Sequence, residues 1–138
     1  MNWWPRRAEV VLDREYDGRT GTLRAARTDV TGCLHEHGVD LDLRERTELV
    51  LSELAANAVQ AAPGSRYGLR LTLRNDGAVV LAVTSHTNNG SPPPREHWRP
   101  LTLLAPSGRG LMIVDELSDT VVVDKPDPRT VVVTATIR

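Results

Sequence analysis

The chain has 138 residues, of which 40% are hydrophobic and 25% charged, and its formal net charge at pH 7 is −1. These values are typical of one globular domain over residues 1–138, while the near-neutral charge excludes nucleic-acid binding through a general positive field and the single cysteine excludes an intramolecular disulfide. No signal-peptide core is present and no apolar run approaches the roughly 18 residues that span a bilayer, so we expect a cytoplasmic protein with no membrane or direct nucleic-acid contact.

The first half of the chain predicts one strand and two helices. Residues 8–12 have the pattern of a short strand, and residues 22–37 place apolar side chains at helical spacing on one face. A second helix over about residues 42–62 is expected to end at Pro63-Gly64. Its predicted buried stripe consists of Val50, Leu51, Leu54, Ala58 and Ala61.

The second half predicts two hairpins that are separated by a long irregular segment and a helix. Residues 67–74 and 78–84 read as strands around a tight Asn-Asp-Gly turn. Residues 85–107 break all periodicity, and a loop of this length inside a compact domain is typical of a lid or a binding loop. A third helix should follow from residue 108 to about residue 117, and strands over 120–124 and 130–137 close the chain.

This order of elements predicts the fold class. Hairpins supply most of the strand pairings, and the helices are partly segregated from the strands along the chain. The pattern indicates an α+β two-layer sandwich, in which three helices cover one face of a mixed, mostly antiparallel sheet.

Two polar residues on the second helix form the first candidate site. Glu53 and Asn57 are four residues apart and share one face, turned by about 100° from the apolar stripe, so they should lie at the edge of the core. A carboxylate beside an amide oxygen offers two hard oxygen ligands for Mg²⁺. The alternative is an ordinary solvent-facing pair on an amphipathic helix.

A glycine-rich helix start forms the second candidate site. Gly108, Arg109, Gly110 and Leu111 open the third predicted helix. Glycines let the backbone approach an anion, unpaired N–H groups at a helix start point toward it, and an arginine can add a charge-assisted bond to a phosphate. The alternative is a flexible turn that precedes a helix.

Together the two stretches resemble two motifs of the GHKL (Bergerat-fold) ATPase superfamily. The Asn box of that superfamily is similar to residues 52–59, Ser-Glu-Leu-Ala-Ala-Asn-Ala-Val. Its second glycine box, in the version found in anti-sigma regulatory factors, is similar to residues 108–119, Gly-Arg-Gly-Leu-Met-Ile-Val-Asp-Glu-Leu-Ser-Asp. Residues 129–133, Arg-Thr-Val-Val-Val, resemble the last strand of that subfamily. The resemblance extends from about residue 8 to the end, with order and spacing intact.

The resemblance implies roles for individual residues. In the family the Asn of the Asn box holds Mg²⁺ and the Glu acts near the γ-phosphate of ATP, which assigns these roles to Asn57 and Glu53. The other cofactor-binding positions would be Ser85, Thr130, Gly108, Arg109, Gly110 and Leu111. Residues 85–107 would form the ATP lid.

One position departs from the family pattern. The family places an Asp, followed by glycines, after the strand that precedes the lid, and this Asp accepts a hydrogen bond from the adenine amino group. Ser85 stands at that position here. A hydroxyl can accept the bond without charge assistance, so the loss should cost roughly 1–3 kcal/mol, about ten- to a hundredfold in nucleotide affinity.

Two functions remain open. The resemblance implies a bacterial anti-sigma factor and serine/threonine kinase, which would bind a sigma factor and phosphorylate an anti-sigma-factor antagonist with Mg²⁺-ATP. The alternative is a degenerate GHKL module that sequesters a regulatory partner without phosphotransfer; Ser85 favours it, whereas Glu53 and Asn57 favour the kinase. A histidine-kinase catalytic domain is disfavoured, because no segment with a phosphoacceptor histidine precedes the domain. A homodimer is left open.

Overall fold

The computed structural model describes residues 7–19, 21–62, 64–86 and 106–138, of which 106–111 are described by their backbone alone. The elements in chain order are β1 (Glu9–Tyr16), α1 (Thr22–Glu36), α2 (Leu41–Ala61), β2 (Tyr67–Leu73), β3 (Val79–His86), α3 (Pro106–Leu117), β4 (Thr120–Asp127) and β5 (Thr130–Ile137).

The five strands form one sheet in the order β1-β2-β3-β5-β4, and all four neighbouring pairs are antiparallel. Side chains alternate between the two faces, and one face is buried. On the three inner strands the buried positions of this face are Tyr67, Leu69, Leu71, Leu73, Val79, Leu81, Val83, Ser85, Val131, Val133, Ala135 and Ile137. The predicted α+β sandwich with a mostly antiparallel sheet is therefore confirmed.

The three helices bury their apolar stripes in the same core. Helix α1 packs against β1, α2 lies over β2, β3 and β5 between the other two helices, and α3 contacts β4. Helix α2 begins at Asp40, whose side chain accepts a bond of 2.9 Å from the Leu43 N–H. Ala61 is exposed, contrary to its predicted place in the stripe, because the helix ends there and Ala62 turns inward instead. None of the described helices is long and apolar enough to cross a bilayer.

Strand β1 is longer than the predicted residues 8–12, because long-range contacts hold its charged second half in the sheet. The Tyr16 hydroxyl donates a 2.7 Å bond to Asp29 on α1, and the Arg14 guanidinium pairs with the same carboxylate at 3.0 Å. The Tyr16 ring stacks on Tyr67 of β2 with 5.6 Å between centroids. Burial and the neighbouring Asp29 raise the pKa of Tyr16, so its hydroxyl remains a donor.

The boundaries of the predicted lid change at both ends. Ser85 and His86 belong to β3, because they pair with Val131 and Thr130 of β5. Pro106 and the residue after it already lie in α3. The remaining residues, 87–105, lie outside the described part of the chain, so the lid stays a prediction there.

Candidate functional site

Glu53 and Asn57 lie on one flank of α2, at the edge of its buried stripe, and both are half-buried. A helix turns about 100° per residue, so Arg46 shares this flank two turns earlier. The Arg46 guanidinium donates to the backbone carbonyl of Arg138, and the Arg138 guanidinium pairs at 3.1 Å with Asp119, which follows α3. These contacts link the flank that also carries Glu53 and Asn57 to the residue that follows α3, and α2 and α3 pack against each other.

The position of helix α3 is set by its contacts with the sheet and with α2. Its C-terminal end is fixed at the far end of the sheet, where the Asp119 N–H donates a 2.7 Å bond to the Thr136 carbonyl. The helix packs against α2 and buries Val114 completely. Its 12 residues span about 18 Å, the length of about 12 residues of α2, so we expect its glycine-rich first turn to lie near the level of Asn57 if the two helices run antiparallel.

The two predicted stretches are thus expected to lie at one end of the molecule. Gly108, Arg109, Gly110 and Leu111 lie in the first turns of α3, so the predicted helix start is confirmed to within two residues. Their side chains are not among the described features, and the phosphate-binding roles of these residues stay predictions. The clamp that positions α3, made by Arg46, Arg138 and Asp119, was not predicted, because its members lie far apart in the sequence.

The Asn57 amide carries an unused hydrogen-bonding group. Its Nδ2 atom is buried and has no partner among the described residues. An unpaired buried donor costs about 1–3 kcal/mol, so such atoms are rare unless a ligand or an ordered water completes them. The oxygen and nitrogen of an amide are assigned by their surroundings, and a half-turn would offer the oxygen to a cation instead. The Asn57 amide therefore has the capacity to bond one more polar partner.

The Glu53 carboxylate stands one turn before Asn57 on the same flank. Within the described part of the chain it forms no ion pair or side-chain hydrogen bond, and no cluster of three or more His, Cys, Asp or Glu side chains could hold a metal by itself. A Mg²⁺ ion at Asn57 would thus take its other ligands from water and phosphate oxygens, which is how this ion usually binds beside nucleotides. The donor set fits Mg²⁺ that arrives with a nucleotide.

Ser85 lies at the same end, on the core face of β3. It is 8% exposed, continues the line of buried apolar positions formed by Leu81 and Val83, and pairs with Val131 on β5. Its hydroxyl makes no side-chain bond to another described residue. Helix α2 packs on β3 and β5, so this second unused polar group faces the same layer as Asn57.

Thr130 is not brought to this site. Side chains alternate along β5, and Thr130 lies on the face away from the helices, opposite to the buried Val131. Its hydroxyl lies 3.4 Å from the Nδ1 atom of His86. Bonds from the Arg129 backbone N–H and from the Thr130 hydroxyl lower the pKa of the Asp127 carboxyl. Side-chain alternation thus places Thr130 and Ser85 on opposite faces of the sheet, and the predicted cofactor-binding role of Thr130 stays a prediction.

Comparisons with known proteins agree with this architecture. The crystal structure of the RsbU and RsbW domains of Rv1364c from Mycobacterium tuberculosis has a TM-score of 0.69 and 19% identity over 97% of this chain, which spans only 32% of that one. The SiaB-SiaC complex from Pseudomonas aeruginosa also has a TM-score of 0.69, with 13% identity over 93% of this chain and 91% of that chain. At these identities the two structures share the fold. No curated protein sequence matches the chain.

A family model supplies the stronger assignment. The model described as the histidine kinase-like ATPase domain matches residues 17–137, which include Glu53, Asn57, Ser85 and the glycine-rich start of α3. A match to an ATPase domain family implies nucleotide binding, in agreement with the two unused polar groups at one end of the molecule. The chain belongs to the histidine kinase-like ATPase family, the superfamily predicted from its sequence motifs.

Proposed function

We propose that the protein is a bacterial regulatory ATP-binding protein that acts as an anti-sigma factor and transfers the γ-phosphoryl group of ATP to a serine or threonine of an anti-sigma-factor antagonist. The observation that carries the proposal is the buried Asn57 amide, unpaired among the described residues, one turn after the Glu53 carboxylate on the same flank of α2. Such a regulator would work in the cytoplasm, where transcription takes place.

The residues of this flank have the chemistry that phosphoryl transfer needs. When bound, Mg²⁺ neutralises charge on the phosphate oxygens, and little covalent chemistry is left to the protein. Asn57 would hold the ion through its amide oxygen and so fix the position of the phosphates. Glu53, one turn earlier, would orient the attacking hydroxyl and accept its proton. The backbone N–H groups at the start of α3 would receive the phosphates.

The proposed partners are proteins. The two similar structures are a chain that contains RsbU and RsbW domains and a complex of SiaB with SiaC. Together with the resemblance of residues 108–119 to the glycine box of anti-sigma regulatory factors, they support a sigma factor, an antagonist protein, or both in turn as the partner.

A homodimer is part of the proposal, and the sheet face away from the helices is its proposed interface. On the inner strands this face carries mostly Thr, Val, Ala and Gly; the exceptions are His86 at the end of β3 and Arg70, which pairs with Asp13 at 3.1 Å. A depression of about 220 Å³ between Gly68, Ala82, Thr84 and neighbouring residues could receive a side chain of the second copy. Five strands about 4.8 Å apart and eight residues of about 3.4 Å each give roughly 650 Å², close to the ~800 Å² that each partner buries in a standard interface.

The second candidate function is a degenerate module that binds and sequesters a partner without phosphotransfer. Ser85 is the observation that favours it, because a neutral hydroxyl replaces the carboxylate that the family resemblance predicts for adenine binding. The intact pair of Glu53 and Asn57 favours the kinase, since a module without ATP chemistry has no need to keep an unpaired buried amide.

Isothermal titration with Mg²⁺-ATP separates the two functions. Asn57→Ala should remove the Mg²⁺-dependent part of binding, whereas the control Asn75→Ala, in the exposed turn between β2 and β3, should bind like the native protein. If neither the native protein nor Ser85→Asp binds Mg²⁺-ATP at millimolar nucleotide, the kinase proposal is wrong. Partner binding that persists without nucleotide in Glu53→Ala/Asn57→Ala would then support the sequestering module.

A further inference from the structure

Resting on the proposed function, we propose that Ser85 relaxes base recognition, so that the nucleotide site accepts guanine nucleotides about as well as adenine nucleotides. The inference concerns which base the site admits, and it is independent of what happens at the phosphate end.

The Ser85 hydroxyl is a polar group among apolar neighbours on this part of the sheet. The side chain is buried on the core face at the end of β3, next to the segment that leads toward α3. Its neighbours on that face are apolar, namely Val83 two residues earlier and Val131 on β5. The hydroxyl forms no bond to another described side chain, so it is available to a ligand. Val83 and Val131 carry no charge that would also attract the ligand.

Adenine and guanine differ as hydrogen-bond donor and acceptor at the 6-position, which the family resemblance places next to Ser85. Adenine carries an amino donor at its 6-position, whereas guanine carries a carbonyl acceptor there. A carboxylate only accepts hydrogen bonds, so it pairs with the adenine amino group and repels the guanine carbonyl. The Ser85 hydroxyl can accept from the first or rotate and donate to the second. Selectivity against guanine is therefore lost together with part of the affinity for adenine.

Parallel titrations of the intact protein with Mg²⁺-ATP and Mg²⁺-GTP test this inference. The native protein should bind both with Kd values within about threefold of each other. Ser85→Asp should shift the ratio toward ATP by about ten- to a hundredfold, the effect of a charge-assisted bond gained for one base and a repulsion created for the other. The control Ser65→Asp, at an exposed position in the turn between α2 and β2, should leave the ratio unchanged.

A second variant covers the case in which a buried aspartate prevents folding. Ser85→Ala removes the hydroxyl without adding charge, so it should weaken ATP and GTP binding by similar factors; loss for one nucleotide alone would overturn the inference. A native preference for ATP above about tenfold, or an unchanged ratio in folded Ser85→Asp, would also overturn it while leaving the proposed ATP-binding function intact. Binding of neither nucleotide to any folded variant would overturn both proposals.

Discussion

Replacing Asn57 by leucine should stabilise the ligand-free protein while it removes the Mg²⁺-dependent part of nucleotide binding. The buried Nδ2 atom of Asn57 has no partner among the described residues, and removing such an atom recovers about 1–3 kcal/mol. The leucine side chain is similar in size but branched differently, and misfit at a half-buried position should offset part of this gain. We therefore expect Asn57→Leu to raise the free energy of unfolding by about 1–2 kcal/mol.

Urea unfolding without nucleotide measures this effect. With an m-value of about 2 kcal/mol/M, the midpoint should rise by roughly 0.5–1 M. Gln60→Leu, at an exposed position of the same helix, is the matched control and should change stability by less than about 0.5 kcal/mol. Saturating Mg²⁺-ATP should raise the midpoint of the native protein and of the control, but not that of Asn57→Leu. A loss of stability above about 1 kcal/mol in ligand-free Asn57→Leu would refute the reasoning, since the amide would then serve the fold.

Three further outcomes are expected. Glu53→Gln should leave Mg²⁺-ATP binding within about twofold but lower phosphotransfer from labelled ATP to an antagonist about 10²–10⁴-fold, and an equal loss of both would contradict a role in proton transfer. Gly18→Ala should lower the free energy of unfolding, measured in urea, by more than about 2 kcal/mol, because the added carbon would lie 2.0 Å from the Ser65 carbonyl oxygen. Its control is Gly32→Ala, where nothing lies within 4 Å of the added carbon, and it should stabilise α1 by about 0.5–1 kcal/mol. Ala82→Arg, on the sheet face away from the helices, should convert a dimer to a monomer in sedimentation measurements while Mg²⁺-ATP binding is kept, and unchanged sedimentation of a dimer would exclude this face as the interface.

The parts of the fold that local sequence determines were predicted well. The turn at Asn75-Asp76-Gly77 joins β2 and β3 as expected, and Gly77 has the φ of +90° that the turn requires. Alternating apolar residues in the neighbouring strands and helical spacing in α1 and α2 gave boundaries within one or two residues. The placement of Glu53 and Asn57 beside the buried stripe follows from the same periodicity.

The errors come from interactions that no local pattern reveals. Residues 13–16 were left out of β1 because three of them are charged, yet contacts with Asp29 and with β2 hold them in the sheet. The face of the sheet on which Thr130 lies was also not predictable, because it depends on the register of β5 against β3, which the sequence does not show. A shift of one residue would have placed its hydroxyl on the core face.

In the proposed nucleotide site the phosphate end and the base end rest on different elements, which would explain how Ser85 coexists with Glu53 and Asn57. The phosphate end depends on α2 and on the start of α3, which are held together by helix packing and by the clamp of Arg46, Arg138 and Asp119. The base end depends on the last residues of β3, which belong to the sheet. We therefore expect a substitution at Ser85 to alter affinity and base preference without moving the groups proposed to bind the phosphates. Even a hundredfold loss, from about 1 µM to about 100 µM, would leave the site mostly filled at millimolar nucleotide, so a carboxylate at this position is dispensable for occupancy and matters mainly for the choice of base.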